Sequence, residues 1–136
     1  MALRYMDQGD YDRAIDLWIG LSEKQRTVRM VSPAFWRCAF VYHYNIALCS
    51  LLSGNIIRAK SYAKKALDSI QRGGEALLVL YLCALYARIH KSSGDEQVYR
   101  REYLAINTAC MLLRRFYGFA FTADDLLSST VGLNSL

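Results

Sequence analysis

The stretch from Phe40 to Ser69, FVYHYNIALCSLLSGNIIRAKSYAKKALDS, decides the fold class. Before Ser53-Gly54-Asn55, the residues Phe40, Tyr44, Ala47, Leu48, Leu51 and Leu52 recur at helical spacing. After it, Ile56, Ala59, Tyr62, Ala63, Ala66 and Leu67 do the same. Glycine supplies the left-handed residue that ends one helix, and asparagine caps the next. A connection this short makes the two helices antiparallel, so the stretch reads as an αα-hairpin.

The same punctuation occurs twice more. Gln8-Gly9-Asp10 precedes Tyr11, Ala14, Leu17 and Trp18, and Ser93-Gly94-Asp95 precedes Val98, Tyr99, Tyr103, Leu104 and Ile106. Three Gly-Asp/Asn turns, each opening an amphipathic helix, indicate a repeated helical hairpin. Between them Glu23–Ser32 has no clear period and reads as a loop or frayed extension, after which Ser32-Pro33 restarts a helix. Predicted helices cover residues 2–8, 10–22, 33–53, 55–71, 75–92 and about 96–117. Thr122 with Asp124 and Asp125 then opens a short helix over Ala123–Ser129, apolar enough through Leu126 and Leu127 to cap the last hairpin. The closing residues, STVGLNSL, are expected to be mobile.

The segment GDYDRAIDLW, Gly9–Trp18, resembles the turn and second helix of a tetratricopeptide repeat, through Gly9, Tyr11, Ala14 and Trp18. Gly54, Ala59, Ala63 and Ala66, with Ala47, match in the second unit, and Gly94 and Tyr103 in the third. Tyr99 stands where that family has alanine, the closing proline of each repeat is absent, and the turn spacings of 45 and 40 residues exceed the family period of roughly 34. The resemblance covers roughly residues 1–110. It implies an all-α fold of about three αα-hairpins, the first incomplete, stacked as a right-handed superhelix over residues 1–121. A short capping helix and tail follow over 122–136.

At 136 residues and 54% apolar, with one proline, the chain is long enough to bury a core without metal or disulfide. Its most apolar run, Ala76–Ala87, is too short for a bilayer, which needs ~20 residues, and reads as a buried central helix. No secretory signal opens the chain. Residues 2–8 look like the end of a helix already in progress, so the natural chain is expected to begin upstream of Met1. Cys38, Cys49, Cys83 and Cys110 each fall on a predicted apolar helix face and read as buried free thiols of a reducing compartment, cytoplasm or nucleus. Cys38 and His43 lie five apart and share no helical face, so no metal site is expected.

Charge is concentrated. Residues 1–23 hold two basic and five acidic side chains, net −3, and residues 73–136 hold six of each. Residues 24–72 hold nine basic side chains against Asp68 alone, net +8. Arg58, Lys60, Lys64 and Lys65 form the helical part of this basic patch, which reads first as the solvated outer face of its helix and second as a dock for an acidic partner or phosphates.

No phosphate loop, nucleophile elbow or HExxH occurs, and His43 and His90 lie on different helices, so neither enzymatic activity nor a cofactor is expected. In the family resembled, the first helix of each hairpin lines a groove that holds a peptide or helix. The matching positions are Tyr44, Asn45, Leu48 and Leu51 in the second unit and Tyr81, Leu85, Arg88 and Lys91 in the third. Of the basic and amide set that grips a C-terminal carboxylate in some members, only Asn45 is present, so the groove suits an amphipathic helix or extended apolar segment instead. The competing reading makes these residues core, covered by the chain's own tail. The expectation is a non-catalytic interaction or scaffold module within a larger assembly, with a helical or extended and in part acidic protein partner. The alternatives are a small chaperone for secretion or assembly clients, and a nucleic-acid-associated repeat using residues 24–72. A homodimer through the open N-terminal edge is a further expectation.

Overall fold

The computed structural model describes residues 1–26, 33–73 and 75–133. They form seven helices: α1 (Ala2–Asp7), α2 (Tyr11–Arg26), α3 (Pro33–Leu52), α4 (Ile56–Gly73), α5 (Ala76–Ser92), α6 (Glu96–Tyr117) and α7 (Ala123–Ser128). The described residues contain no strand. Each of α1 to α6 packs against the next in sequence, α3 also touches α5, and α7 lies against α5 and α6. Residues 123–128 are thus packed against the rest of the described chain.

The three predicted turns share one hydrogen-bond pattern. Gly9, Gly54 and Gly94 have φ of +75°, +87° and +82°, which closes each preceding helix in left-handed backbone that a Cβ would strain. The next residue donates its N–H to the carbonyl five positions back: Asp10 to Tyr5 at 2.8 Å, Asn55 to Ser50 at 2.8 Å and Asp95 to His90 at 2.9 Å. That residue then serves as N-cap of the following helix. Asn55 Oδ1 accepts the Arg58 N–H at 3.1 Å and Asp10 Oδ1 the Arg13 N–H at 3.4 Å, whereas Asp95 makes no side-chain cap bond. One polar residue therefore ends one helix and starts the next, which fixes α1/α2, α3/α4 and α5/α6 as antiparallel hairpins.

The helices at the centre of the packing are apolar on more than one side. On α3, Phe40, Val41, Tyr44 and every residue from Asn45 to Ser50 are buried. On α5, Leu78, Leu82, Leu85 and Ile89 join a core shared with α1 to α4. Leu80, Ala84 and Ala87, half a turn away, join a second core with Ile106, Cys110, Ala123 and Leu126. The most apolar run of the sequence is thus two buried stripes on one helix. No described helix is long and apolar enough to cross a membrane. On α4, by contrast, Ala59, Ala63 and Ala66 form a single stripe with no exposed surface, opposite the exposed Lys60 and Lys64. A methyl group at each point of the stripe lets neighbouring helices approach closely.

Two local expectations are corrected and a third is met. The helix expected to end near Ser22 continues as α2 to Arg26, since Glu23, Lys24, Gln25 and Arg26 are all good helix formers, while residues 27–32 lie outside the described part. Of the four cysteines only Cys49 and Cys110 are buried; Cys38 is half-buried and Cys83 exposed, because Cys83 falls between the two stripes of α5. The α7 cap forms as read, with Thr122 and Asp125 in a reciprocal capping box and Ala123 and Leu126 buried. It does not cover the outer side of α6, where Leu104, Met111, Leu112 and Phe116 remain more than half exposed.

Close alanine packing makes a specific demand. Ala63→Leu adds three carbons where nothing is exposed, and we expect a loss of about 1–3 kcal/mol in urea unfolding. Lys60→Ala on the solvent side should change stability by less than about 0.5 kcal/mol.

Candidate functional site

The first helices of the three hairpins, α1, α3 and α5, are bridged by a strap formed by Ser129 to Leu133. Arg88 of α5 donates from Nη1 to the Ser129 carbonyl at 2.7 Å. Asn45 of α3 holds Leu133 twice: its Nδ2 donates to the Leu133 carbonyl at 2.9 Å, and its Oδ1 accepts the Leu133 N–H at 2.8 Å. Gly132 sits so tightly that an added Cβ would lie 2.8 Å from Leu3 Cδ2, 2.8 Å from Met6 Sδ and 2.9 Å from Asn45 Oδ1. The tail expected to be mobile is therefore laid against the body as far as Leu133. Its last residues, 134–136, lie outside the described part.

The electrostatics follow from burial. Asn45 has no exposed surface, and an amide in that position costs about 1–3 kcal/mol if left unpaired. The backbone of Leu133 offers one donor and one acceptor, which is what a primary amide can engage with its oxygen and nitrogen at once. Arg88 is half-buried beside Tyr44; burial works against its charge while the Tyr44 hydroxyl favours it. Burial pushes the Tyr44 phenol up to about 12, with Arg88 opposing the shift. Both groups keep their ordinary charge at neutral pH, a neutral phenol beside a guanidinium.

The eight residues expected to line a groove divide four ways. Leu48 and Leu85, each 1% exposed, are core, because α3 and α5 touch directly and leave no opening there. Leu51 is half-buried against the same core. Asn45 and Arg88 hold the strap. Tyr44 and the half-buried Tyr81 form one wall of a cavity of about 710 Å³, whose other walls are α7, Phe121 and the strap itself. Lys91 is exposed, its Nζ 5.0 Å from the centre of the Tyr99 ring. The expected open apolar groove is thus a strip already occupied by the chain's own tail, with space left over along part of its length.

The four residues of the basic patch do not act as one surface. Arg58 turns inward across the hairpin, Nε donating to Ser50 Oγ at 2.9 Å, and Ser50 in turn donates to the Ile46 carbonyl at 2.7 Å. Lys65 lies over the Tyr62 ring, 4.4 Å from its centre. Lys60 and Lys64 are exposed on the outer side of α4. Exposed large apolar side chains are more plentiful on α6 than at the N-terminal edge, where Leu17 and Leu21 of α2 are 38% and 40% exposed.

A contact not anticipated from the sequence joins Ser22 Oγ and His43 Nε2 at 3.2 Å, in a cavity of about 220 Å³ with Ile19, Glu23, Tyr62 and Lys65. A hydroxyl beside an imidazole invites comparison with a nucleophile and its base. Here the imidazole is held neutral: burial, and then the Lys65 charge, lower its pKa to about 4. Its Nδ1 is buried with no hydrogen-bond partner to orient the ring or to stabilise an imidazolium. A general base must accept a proton in the transition state, and these surroundings oppose that. His90, on α5, instead faces Glu102 of α6, with 2.5 Å between Nδ1 and Oε1. Among the described residues no three His, Cys, Asp or Glu side chains are grouped to hold a metal ion.

No protein-family model, curated protein or solved structure matches the chain. The reading of its site therefore rests on its own geometry. Covering of the groove by the chain's own tail was the competing expectation, but which tail residues do it was not foreseen, because Ser129, Gly132 and Leu133 have the composition of a loose end. The one available signal was a glycine between apolar neighbours in a segment without helical period.

His43 gives a pH test of this placement. The unfolded imidazole titrates near 6.5 and the folded one near 4, so between these values the unfolded state binds more protons and stability falls as pH drops. The urea midpoint should therefore decrease from pH 7 to pH 4.5, and His43→Gln should flatten that arm of the profile.

Proposed function

We propose that the chain is a non-catalytic protein–protein interaction module, a tetratricopeptide-like stack of helical hairpins that holds an extended protein segment along α1, α3 and α5. One observation carries the reading: the amide of Asn45 makes both of its hydrogen bonds to the main chain of a single residue outside any helix, Leu133. A surface that engages backbone rather than side chain accepts an extended segment by its conformation, and neighbouring pockets then select sequence. Arg88, bonded to the Ser129 carbonyl four residues earlier, supplies a second main-chain contact. The common turn chemistry of the three hairpins and the buried alanine stripe of α4 support the repeat architecture. A partner that is itself an amphipathic helix fits less well, because its main-chain groups are already paired and Asn45 would be left without a bond.

The nucleic-acid reading loses support from Arg58, which turns inward to Ser50 and leaves Lys60, Lys64 and Lys65 exposed, the last lying over the Tyr62 ring. A client-shielding chaperone would use the same strip, and differs only in the fate of what it holds. Neither reading involves a cofactor.

The test compares capture of native partners by the intact chain, by Asn45→Leu and by Lys60→Glu/Lys64→Glu, each checked for helicity by circular dichroism. Loss of two hydrogen bonds should cost about 1–3 kcal/mol, or roughly 5- to 150-fold in affinity, for Asn45→Leu. The lysine variant should bind as the intact chain does, with little dependence on salt. Retained capture by Asn45→Leu, or capture lost only in the lysine variant and falling steeply with ionic strength, would sink the reading.

A further inference from the structure

The strap is an imperfect fit in one place and a close fit in another, and the contrast identifies what it stands in for. At Gly132 the fit is close. The three atoms that a Cβ would strike belong to the side chains of Leu3, Met6 and Asn45; Met6 is 2% exposed and Asn45 makes two bonds to Leu133, so a side chain here requires buried groups to move. Between Ser129 and Gly132 the fit is loose. Thr130 and Val131 border the cavity of about 710 Å³ but do not fill it, and Val131 remains 62% exposed. All three hydrogen bonds between strap and helices go to strap main chain, so nothing polar in the contact depends on strap side chains.

We propose that Ser129 to Leu133 is a built-in occupant of the peptide strip, which a partner must displace. The segment it imitates is extended, with a glycine before the residue held by Asn45 and an apolar side chain larger than threonine or valine one or two positions before that glycine. The glycine follows from the wall of Leu3, Met6 and Asn45. The larger side chain follows from the unfilled space against Tyr44 and Tyr81, where an aromatic or long aliphatic group buries apolar surface that the strap leaves uncovered. Displacement needs no change in the helices, because Asn45 and Arg88 exchange one main chain for another of the same geometry. The covalent tether gives the strap a high local concentration, commonly ~mM for short linkers, so a partner succeeds only by making the contacts that the strap lacks.

This inference rests on the interaction-module reading, and the experiment separates their failures. The probes are fluorescent synthetic peptides added to the full chain. One has the sequence of residues 128–136, SSTVGLNSL; a second has tryptophan at the Val131 position; a third has valine at the Gly132 position. The proteins are the unaltered chain, Gly132→Val and Leu133→Glu. Both substitutions lie beyond α7, and circular dichroism and thermal melting check that the helices are retained. A strap closed nine-tenths of the time lowers apparent affinity about tenfold. We therefore expect Gly132→Val and Leu133→Glu to bind the first peptide at least tenfold more tightly than the unaltered chain does. The tryptophan peptide should bind more tightly than the first, and the valine peptide at least tenfold more weakly.

Equal binding of the first peptide by all three proteins would overturn the strap as an occupant, and would leave the module reading intact if Asn45→Leu still loses native partners. Limited proteolysis reports whether the tail has been released. Release without binding of any peptide would overturn both readings. A shift of the two variants to dimers in size-exclusion chromatography, without peptide binding, would assign the strip to a second copy of the chain and overturn the proposal.

Discussion

The burial of α3 on nearly all sides is the constraint on which the rest of the molecule depends. A 20-residue helix can be so enclosed only if its neighbours approach closely, and the neighbour after the Gly54 turn does so with methyl groups, Ala59, Ala63 and Ala66. Enclosure has a consequence for polarity. α3 carries Asn45 and Ser50 into a place with no exposed surface, and each must find a partner there. Ser50 finds two within its own hairpin, the Ile46 carbonyl and the Arg58 guanidinium. Asn45 makes its bonds to the strap, 88 residues further along the chain.

That difference separates structure from function in this fold. Ser50 and Arg58 are satisfied locally, and they tie the second hairpin together whatever the tail does. Asn45 is satisfied by a segment that belongs to no helix and is held at Arg88, Asn45 and the Gly132 crossing. Such a segment has no helical hydrogen bonds of its own, and three bonds to Arg88 and Asn45 hold it among the described residues. Water that follows the departing strap can solvate the amide, which lowers the cost of opening.

The cavity around Tyr44 and Tyr81 has a related origin. α7 is only six residues long and is pinned at its start by the Thr122–Asp125 box and by the Tyr103 hydroxyl, which donates to Asp124 at 3.0 Å. It covers the second core by burying Ala123 and Leu126 there. The chain then passes from α7 to Asn45 through Ser129 to Leu133, which line the cavity together with the two tyrosines. A short helix serving one core and a strap serving the other leave space where they join.

Much of the architecture was legible in the sequence because it is written in local chemistry. The glycine turns, the capping residues and the 3.6-residue apolar period act over a few residues, so Gly54, Asn55 and Thr122 could be placed without knowledge of any neighbour. The end of α2 and the exposure of Cys83 were misread where local pattern and burial part company: propensity carries α2 past Ser22, and α5 divides its apolar surface between two cores. At the site, the sequence nominated Asn45 and Arg88 through their place on the first helix of each hairpin, but it could not distinguish them from Leu48 and Leu85 beside them. That distinction depends on which sides of α3 and α5 meet each other and which meet the tail. By itself the sequence determined the helices and their hairpins, because hydrogen bonding within a helix and at its ends is short-ranged. Only the tertiary structure decided that a glycine and a leucine near the end of the chain would complete a buried amide on α3, because that contact is made between residues far apart in the chain and has no local signature.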